Sequence, residues 1–349
     1  MLKLYTPRGL DVDVPEIPVE DCSPKFKLSD VADISDYFKE YGYVIIQGLI
    51  PRDRCDAMRQ SWDSEVKPFK GFMYRQATAH AERHVVNDRG WVMNPILNIQ
   101  SIDPTKFGNF RDYVTTQCLA SSELRQAFYL LLGENPKIVQ SMYFEGNSAT
   151  WEHQDSYYLD SEVPGEMCGA WIALEDISAS AGRFFICPKS HKLVVDDHNL
   201  SNNIAENHEQ YKLSVSDMVR KNNLQIRAPI LNKGDVLFWN SWTIHGSLDS
   251  QDADHSRSSI TCHAIPRSRK YLQMHTRILD LRGDDIGGTE VHRPKDLMSL
   301  KNRLILFVES TFPRQFYWLK KRAIVFVIKR RRASVVSAPQ LIGSTRSIQ

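Results

Sequence analysis

A chain of 349 residues, 42% hydrophobic and 25% charged, is long enough to bury a full core as one large domain or as one domain with appendages. Six cysteines, at 22, 55, 118, 168, 187 and 262, have no paired spacing; they form no zinc motif and suggest no disulfide framework, so a reducing compartment is the expectation. The start, Met1-Leu2-Lys3-Leu4-Tyr5, lacks the apolar core of a signal peptide, so the expected location is cytoplasmic. A net charge of +2 comes with no nucleic-acid recognition motif, and no nucleic-acid partner is expected.

Residues 1–26 are rich in Pro and Asp and read as an extended lead-in. Ser29 is placed to cap a helix running through Phe38, with Asp30 and Asp33 near its start. Tyr43-Val44-Ile45-Ile46 reads as a strand, and Pro51 opens a helix from Arg52 to Val66. The irregular stretch 67–110, with Trp91, Met93 and Pro95, is a candidate source of substrate-pocket residues. A helix is predicted over 122–134, followed by a β-rich stretch from 138 to 266. Within it the polar segment 193–222 reads as a lid over a site or as a solvated helical insertion.

His153-Gln154-Asp155 and His245 carry the chemistry. Two imidazoles and one carboxylate hold a non-haem iron on one face and leave the opposite positions open. Ligands at i and i+2 of an extended strand point to the same side, so one short segment supplies two neighbouring positions. His191 and His263 read as structural, the first in the Ser190-His191-Lys192 turn and the second on a strand.

Around these residues stand Ala170-Trp171-Ile172-Ala173-Leu174, Gly182 through Pro188-Lys189-Ser190-His191-Lys192, Gly234-Asp235, His245-Gly246-Ser247 and Arg257-Ser258-Ser259-Ile260-Thr261. In order and spacing they resemble the phytanoyl-CoA dioxygenase family of Fe(II)/2-oxoglutarate oxygenases, over roughly residues 30 to 270. The resemblance implies a mainly β protein with flanking helices and a double-stranded β-helix (jelly-roll, cupin-like) core. It implies Fe(II) held by His153, Asp155 and His245, with 2-oxoglutarate as cosubstrate and O2 as oxidant. Arg257, twelve residues after His245, falls where the family keeps the arginine that pairs with the distal carboxylate of 2-oxoglutarate, a task suited to a planar guanidinium. Ser247 would add a hydroxyl to that carboxylate, Gln140 an amide to the cosubstrate, and Trp171 an apolar wall near the iron. An intact Asp155 favours hydroxylation over halogenation.

The implied organisation is a lead-in over 1–26, a dioxygenase domain over 27–290 with its core at 138–266, and a helical, basic extension over 291–349. Residues 314–349 carry nine basic side chains and no acid, and Phe316-Tyr317-Trp318-Leu319 and the run 323–328 are apolar. That composition suits peripheral contact with the inner face of a membrane, or a C-terminal helix packed on the barrel. The expected function is hydroxylation of a small-molecule or lipid-linked substrate with release of succinate and CO2. The alternative is an idle family member that binds membrane or protein through its basic tail.

Overall fold

A computed structural model describes residues 1–146, 149–193, 204–274 and 277–322. The chain divides into two units, residues 1–299 and 300–349. The run 323–328 and most of the basic tail lie outside the described residues, as does 194–203 of the expected lid.

The first unit is sheet-rich with helices. Its elements, in chain order, are β1 (Leu2–Tyr5), β2 (Asp11–Val14), β3 (Lys25–Phe26), α1 (Val31–Tyr41), β4 (Tyr43–Ile46), α2 (Arg52–Ser61), α3 (Ser122–Leu132), β5 (Pro136–Phe144) and β6 (Thr150–His153). Then follow β7 (Cys168–Ala173), β8 (Phe184–Ile186), α4 (Ile204–Lys221), β9 (Val236–Asn240), β10 (His245–Ser247), β11 (Ser259–Pro266), β12 (Asp284–Ile286) and β13 (Thr289–Val291), with shorter pieces between. A nine-stranded sheet runs β12-β13-β5-β11-β7-β9-β4-β3, with Ile96–Leu97 also paired to β5. A second sheet of three strands has the order β8-β10-β6.

The large sheet is apolar on both faces, and the period-2 alternation of its strands sorts two cores. Val44, Ile46, Ala170, Ile172, Val236, Phe238, Ile260 and Cys262 share one cluster with Ile34 of α1, Met58 of α2, and Leu124 and Phe128 of α3. Their strand neighbours Tyr43, Ile45, Trp171, Leu237 and Trp239 cluster instead with Phe184 and Ile186 of the small sheet. One face is therefore covered by helices and the other by the small sheet.

Local chemistry fixes the joints. Gly42 ends α1 at φ 77°, its N–H donating 2.8 Å to the Phe38 carbonyl, and a Cβ there would sit 2.3 Å from the His191 ring. The Ser190–Lys192 turn thus docks on the end of α1, with His191 Nε2 3.0 Å from the Lys39 carbonyl. The N-cap of α1 is Asp30, whose side chain does not cap; Ser29 instead bonds the Asp30 carboxylate. The helix expected over 52–66 is α-helical to Ser61 and widens to a π-turn over Trp62–Val66, which seats Trp62 stacked on Tyr143 with ring centroids 4.1 Å apart. Trp62→Ala is expected to cost about 3–5 kcal/mol, a loss that urea unfolding would measure.

Residues 1–26 are more than a lead-in. β1 and β2 form an antiparallel hairpin whose Leu10, Val12 and Val14 are buried with Phe185, Tyr211, Val215 and Met218, and β3 joins the large sheet. The Thr6 hydroxyl bonds the buried carboxylate of Glu152 on β6. α4 likewise is docked rather than solvated, because Tyr211, Val215, Met218 and Val219 recur at helical spacing on its buried face.

Candidate metal centre

β6 and β10 pair antiparallel, with His153 directly opposite His245. β6 ends at His153, but Gln154 remains extended (φ −106°, ψ 133°), so Asp155 still projects to the side of His153 as it opens a 3-10 turn. The three side chains converge: one ligand atom from each of His153, Asp155 and His245 lies within 4.8 Å of the others. Asp155 Oδ1 is 3.7 Å from His153 Nε2 and 3.6 Å from His245 Nε2. These residues can hold a metal ion.

The surroundings set the form of each donor. His153 Nδ1 lies 2.8 Å from the Trp151 carbonyl, and His245 Nδ1 2.9 Å from the Thr243 carbonyl. A carbonyl only accepts, so both rings carry hydrogen on Nδ1 and turn the Nε2 lone pair toward Asp155. Burial pushes the His245 pKa down to about 3, which keeps that ring neutral at ordinary pH. Burial alone would raise the Asp155 carboxyl, but the His245 and His263 imidazoles outweigh it and hold the group well below the usual carboxylate range.

Asp155 is oriented through its other oxygen. Trp239 Nε1 donates to Oδ2 at 2.7 Å and His263 Nε2 to the same atom at 3.2 Å, leaving Oδ1 for the histidines. Gly169 makes this reachable: it pairs with Trp239 across β7 and β9, and a Cβ there would sit 2.2 Å from the indole. Gln154 is fixed on both sides. Its N–H donates to the Tyr211 hydroxyl at 3.0 Å, that hydroxyl donates back to its carbonyl at 3.2 Å, and its amide reaches the Trp242 carbonyl at 2.5 Å. Tyr211 is stacked on Tyr157 at 3.6 Å, and Tyr158 bonds His208 of α4 at 2.7 Å. Helix α4 therefore buttresses the ligand segment.

Arg257 is 1% exposed. It donates from Nη1 to the Gly182 carbonyl at 2.9 Å, its guanidinium lies 5.5 Å from the Phe144 ring centroid, and its buried Nε has no partner among the described residues. No carboxylate pairs with it among the described residues, and burial pulls its pKa down to about 9. Gly182 stands two residues before Phe184, the cross-strand partner of Ser247. The Ser247 hydroxyl accepts from the Thr150 N–H at 2.9 Å, and Gln140 is half-buried in register with His263. Trp171 is buried 6.0 Å from Phe184, and it is Phe184 (5.5 Å) and Trp239 (4.7 Å) that lie against the His245 ring.

Sequence reading missed Trp239, Tyr211 and the role of His263. Each acts across elements 57 to 108 residues distant, and only the apolar stripe of α4 was a readable signal. Trp239→Phe keeps a ring but removes the donor to Asp155, and metal affinity is expected to fall about 10–100-fold, measurable by competition with a chelating dye.

The fold and site define a sheet-rich protein with a two-histidine, one-carboxylate centre. The family model described as phytanoyl-CoA dioxygenase (PhyH) matches residues 38–258, and the chain belongs to that family. Phytanoyl-CoA dioxygenase domain-containing protein 1 of Mus musculus is 31% identical over 266 residues, covering 65% of this chain and 87% of that protein. Its Bos taurus counterpart is 26% identical over 263 residues, with the same coverage of 65% and 87%. The crystal structure of EctD from S. alaskensis, which has bound Fe, shares the fold with a TM-score of 0.50 at 16% identity, covering 74% of this chain and 85% of that one.

Proposed function

We propose that this protein is a mononuclear Fe(II)/2-oxoglutarate-dependent dioxygenase, its two sheets forming a double-stranded β-helix around the site. The observation that carries the reading is the convergence of His153, Asp155 and His245, each with a donor lone pair set by its neighbours. Fe(II) held by His153, Asp155 and His245 would, with 2-oxoglutarate, supply O2 activation, giving succinate, CO2 and a hydroxylated substrate.

The chain's own residues supply the rest. His153 and His245 offer neutral nitrogens, and Asp155 supplies the negative charge that favours a divalent cation. Trp239 and His263 hold the carboxylate at one angle, so little ordering remains to be done when metal binds. Arg257 is a buried guanidinium with no carboxylate beside it among the described residues, and a dicarboxylate cosubstrate would provide one. Ser247 would add a hydroxyl donor to that carboxylate, and Gln140 an amide. Trp171 acts through Phe184, as packing behind the wall. The substrate is taken to be a small or lipid-linked molecule admitted on the His153 side, where the ligand side chain keeps 13% exposure against 5% for His245 and Asp155.

Anaerobic titration of metal-free protein with Fe(II) and 2-oxoglutarate tests the reading. A weak visible charge-transfer band is expected only when both are present in wild type, and it should be absent in Arg257→Ala. Wild type that binds neither would leave an idle family member.

A further inference from the structure

The second unit presents an inverted helix. In α5 (Leu300–Thr311), Leu300, Leu304, Phe307 and Thr311 fall at i, i+4, i+7 and i+11, along one side at 3.6 residues per turn. The large apolar members of that side face outward: Leu304 is 63% and Phe307 61% exposed, and Leu300 more so. The acid faces inward. Glu309, half a turn away from the stripe, is 2% exposed and accepts a hydrogen bond from the Tyr317 hydroxyl. Residues 313–322 continue as helix after Pro313, with Trp318 and Leu319 exposed. A soluble helix with its apolar stripe out and its carboxylate in has its solvent preference reversed, which marks an interaction surface.

Charge identifies the occupant. Lys301 and Arg303 stand on the two flanks of the stripe, and Arg314, Lys320, Lys321 and Arg322 follow. Glu309 is the one acid from 300 to 322, and none follows it in the sequence. Arg322 also lies over the Trp318 ring at 3.9 Å, and Lys320 over Tyr317 at 5.5 Å. We infer that the exposed stripe of α5, with the aromatic and basic residues after it, is a docking surface for an anionic lipid bilayer. Apolar side chains would enter the interface, Lys and Arg would reach phosphate headgroups, and Trp318 would sit at headgroup depth. A second copy packed in parallel on the same stripe would bring Lys301 and Arg303 against their own counterparts, a like-charge contact. Among the described residues no helix is long and apolar enough to cross a membrane. None of this depends on the oxygenase chemistry.

The test is co-sedimentation of the full-length protein with vesicles of phosphatidylcholine alone or mixed with phosphatidylglycerol, at low and high salt. Wild type should bind the anionic vesicles and lose binding as salt rises. Leu304→Ser/Phe307→Ser should lower binding about tenfold or more with unchanged circular dichroism, and Lys320→Gln/Lys321→Gln should flatten the salt dependence. Wild type that stays in the supernatant with both vesicles overturns the proposal. So does a serine variant that turns a dimer into a monomer in analytical ultracentrifugation without changing vesicle binding, since a second copy then covers the stripe. Should the serine variant misfold, the glutamine variant decides alone: undiminished binding and unaltered salt dependence would overturn the lipid assignment.

Discussion

Arg257→Met is expected to move stability and ligand binding in opposite directions. The guanidinium is buried with one hydrogen bond to the Gly182 carbonyl, an unpartnered Nε, and no carboxylate beside it among the described residues. The ligand-free protein therefore bears a desolvated charge, and an unbranched apolar side chain of similar length should stabilise it by about 1–4 kcal/mol. The same change should remove about 2–5 kcal/mol of 2-oxoglutarate affinity, the typical cost of truncating one side of a buried charged contact. Urea unfolding of the metal-free protein and calorimetric titration with 2-oxoglutarate give the two numbers. A destabilised variant that still binds 2-oxoglutarate normally would mean that Arg257 serves the scaffold alone.

Asp155→Ala should be the most damaging change to metal binding. It deletes one of three donors, and the loss in Fe(II) affinity is expected to exceed about 100-fold, above the range for removing a supporting partner such as Trp239. The ligand-free protein should also lose about 1–3 kcal/mol, because the buried Trp239 Nε1 is left without its acceptor. Chelator competition and urea unfolding measure these separately. Affinity equal to wild type would place the metal elsewhere.

The ligands themselves were legible because their chemistry is written in adjacent letters. His153 and Asp155 are two residues apart, and the turn, strand and glycine signals around them are local. The strand over Tyr43–Ile46 and the helices at 52 and 122 were readable for the same reason. What escaped lies across the sheets. Nothing near Trp239 in sequence announces an indole donating to a carboxylate 84 residues away, since that contact exists only once β7 and β9 pair and Gly169 leaves room. His263 was read as a bland strand residue because its partner, Asp155, is 108 residues distant. The N-terminal hairpin was missed although Asp11-Val12-Asp13-Val14 alternates plainly and is exposed and buried in turn, because its prolines and acids outweighed a pattern only four residues long. The polar composition of 193–222 likewise hid the stripe that docks α4.

The pairing of His153 with His245 across the small sheet has a dynamic corollary. Both imidazoles sit on the same rung of a ladder between strands of only three and four residues, and the fraying that would separate the strands would also spread the two nitrogens. Bound metal would thus act as a rivet through that rung. Slow exchange of the β6 and β10 amides with solvent deuterium and slow release of the ion become two readings of a single opening event.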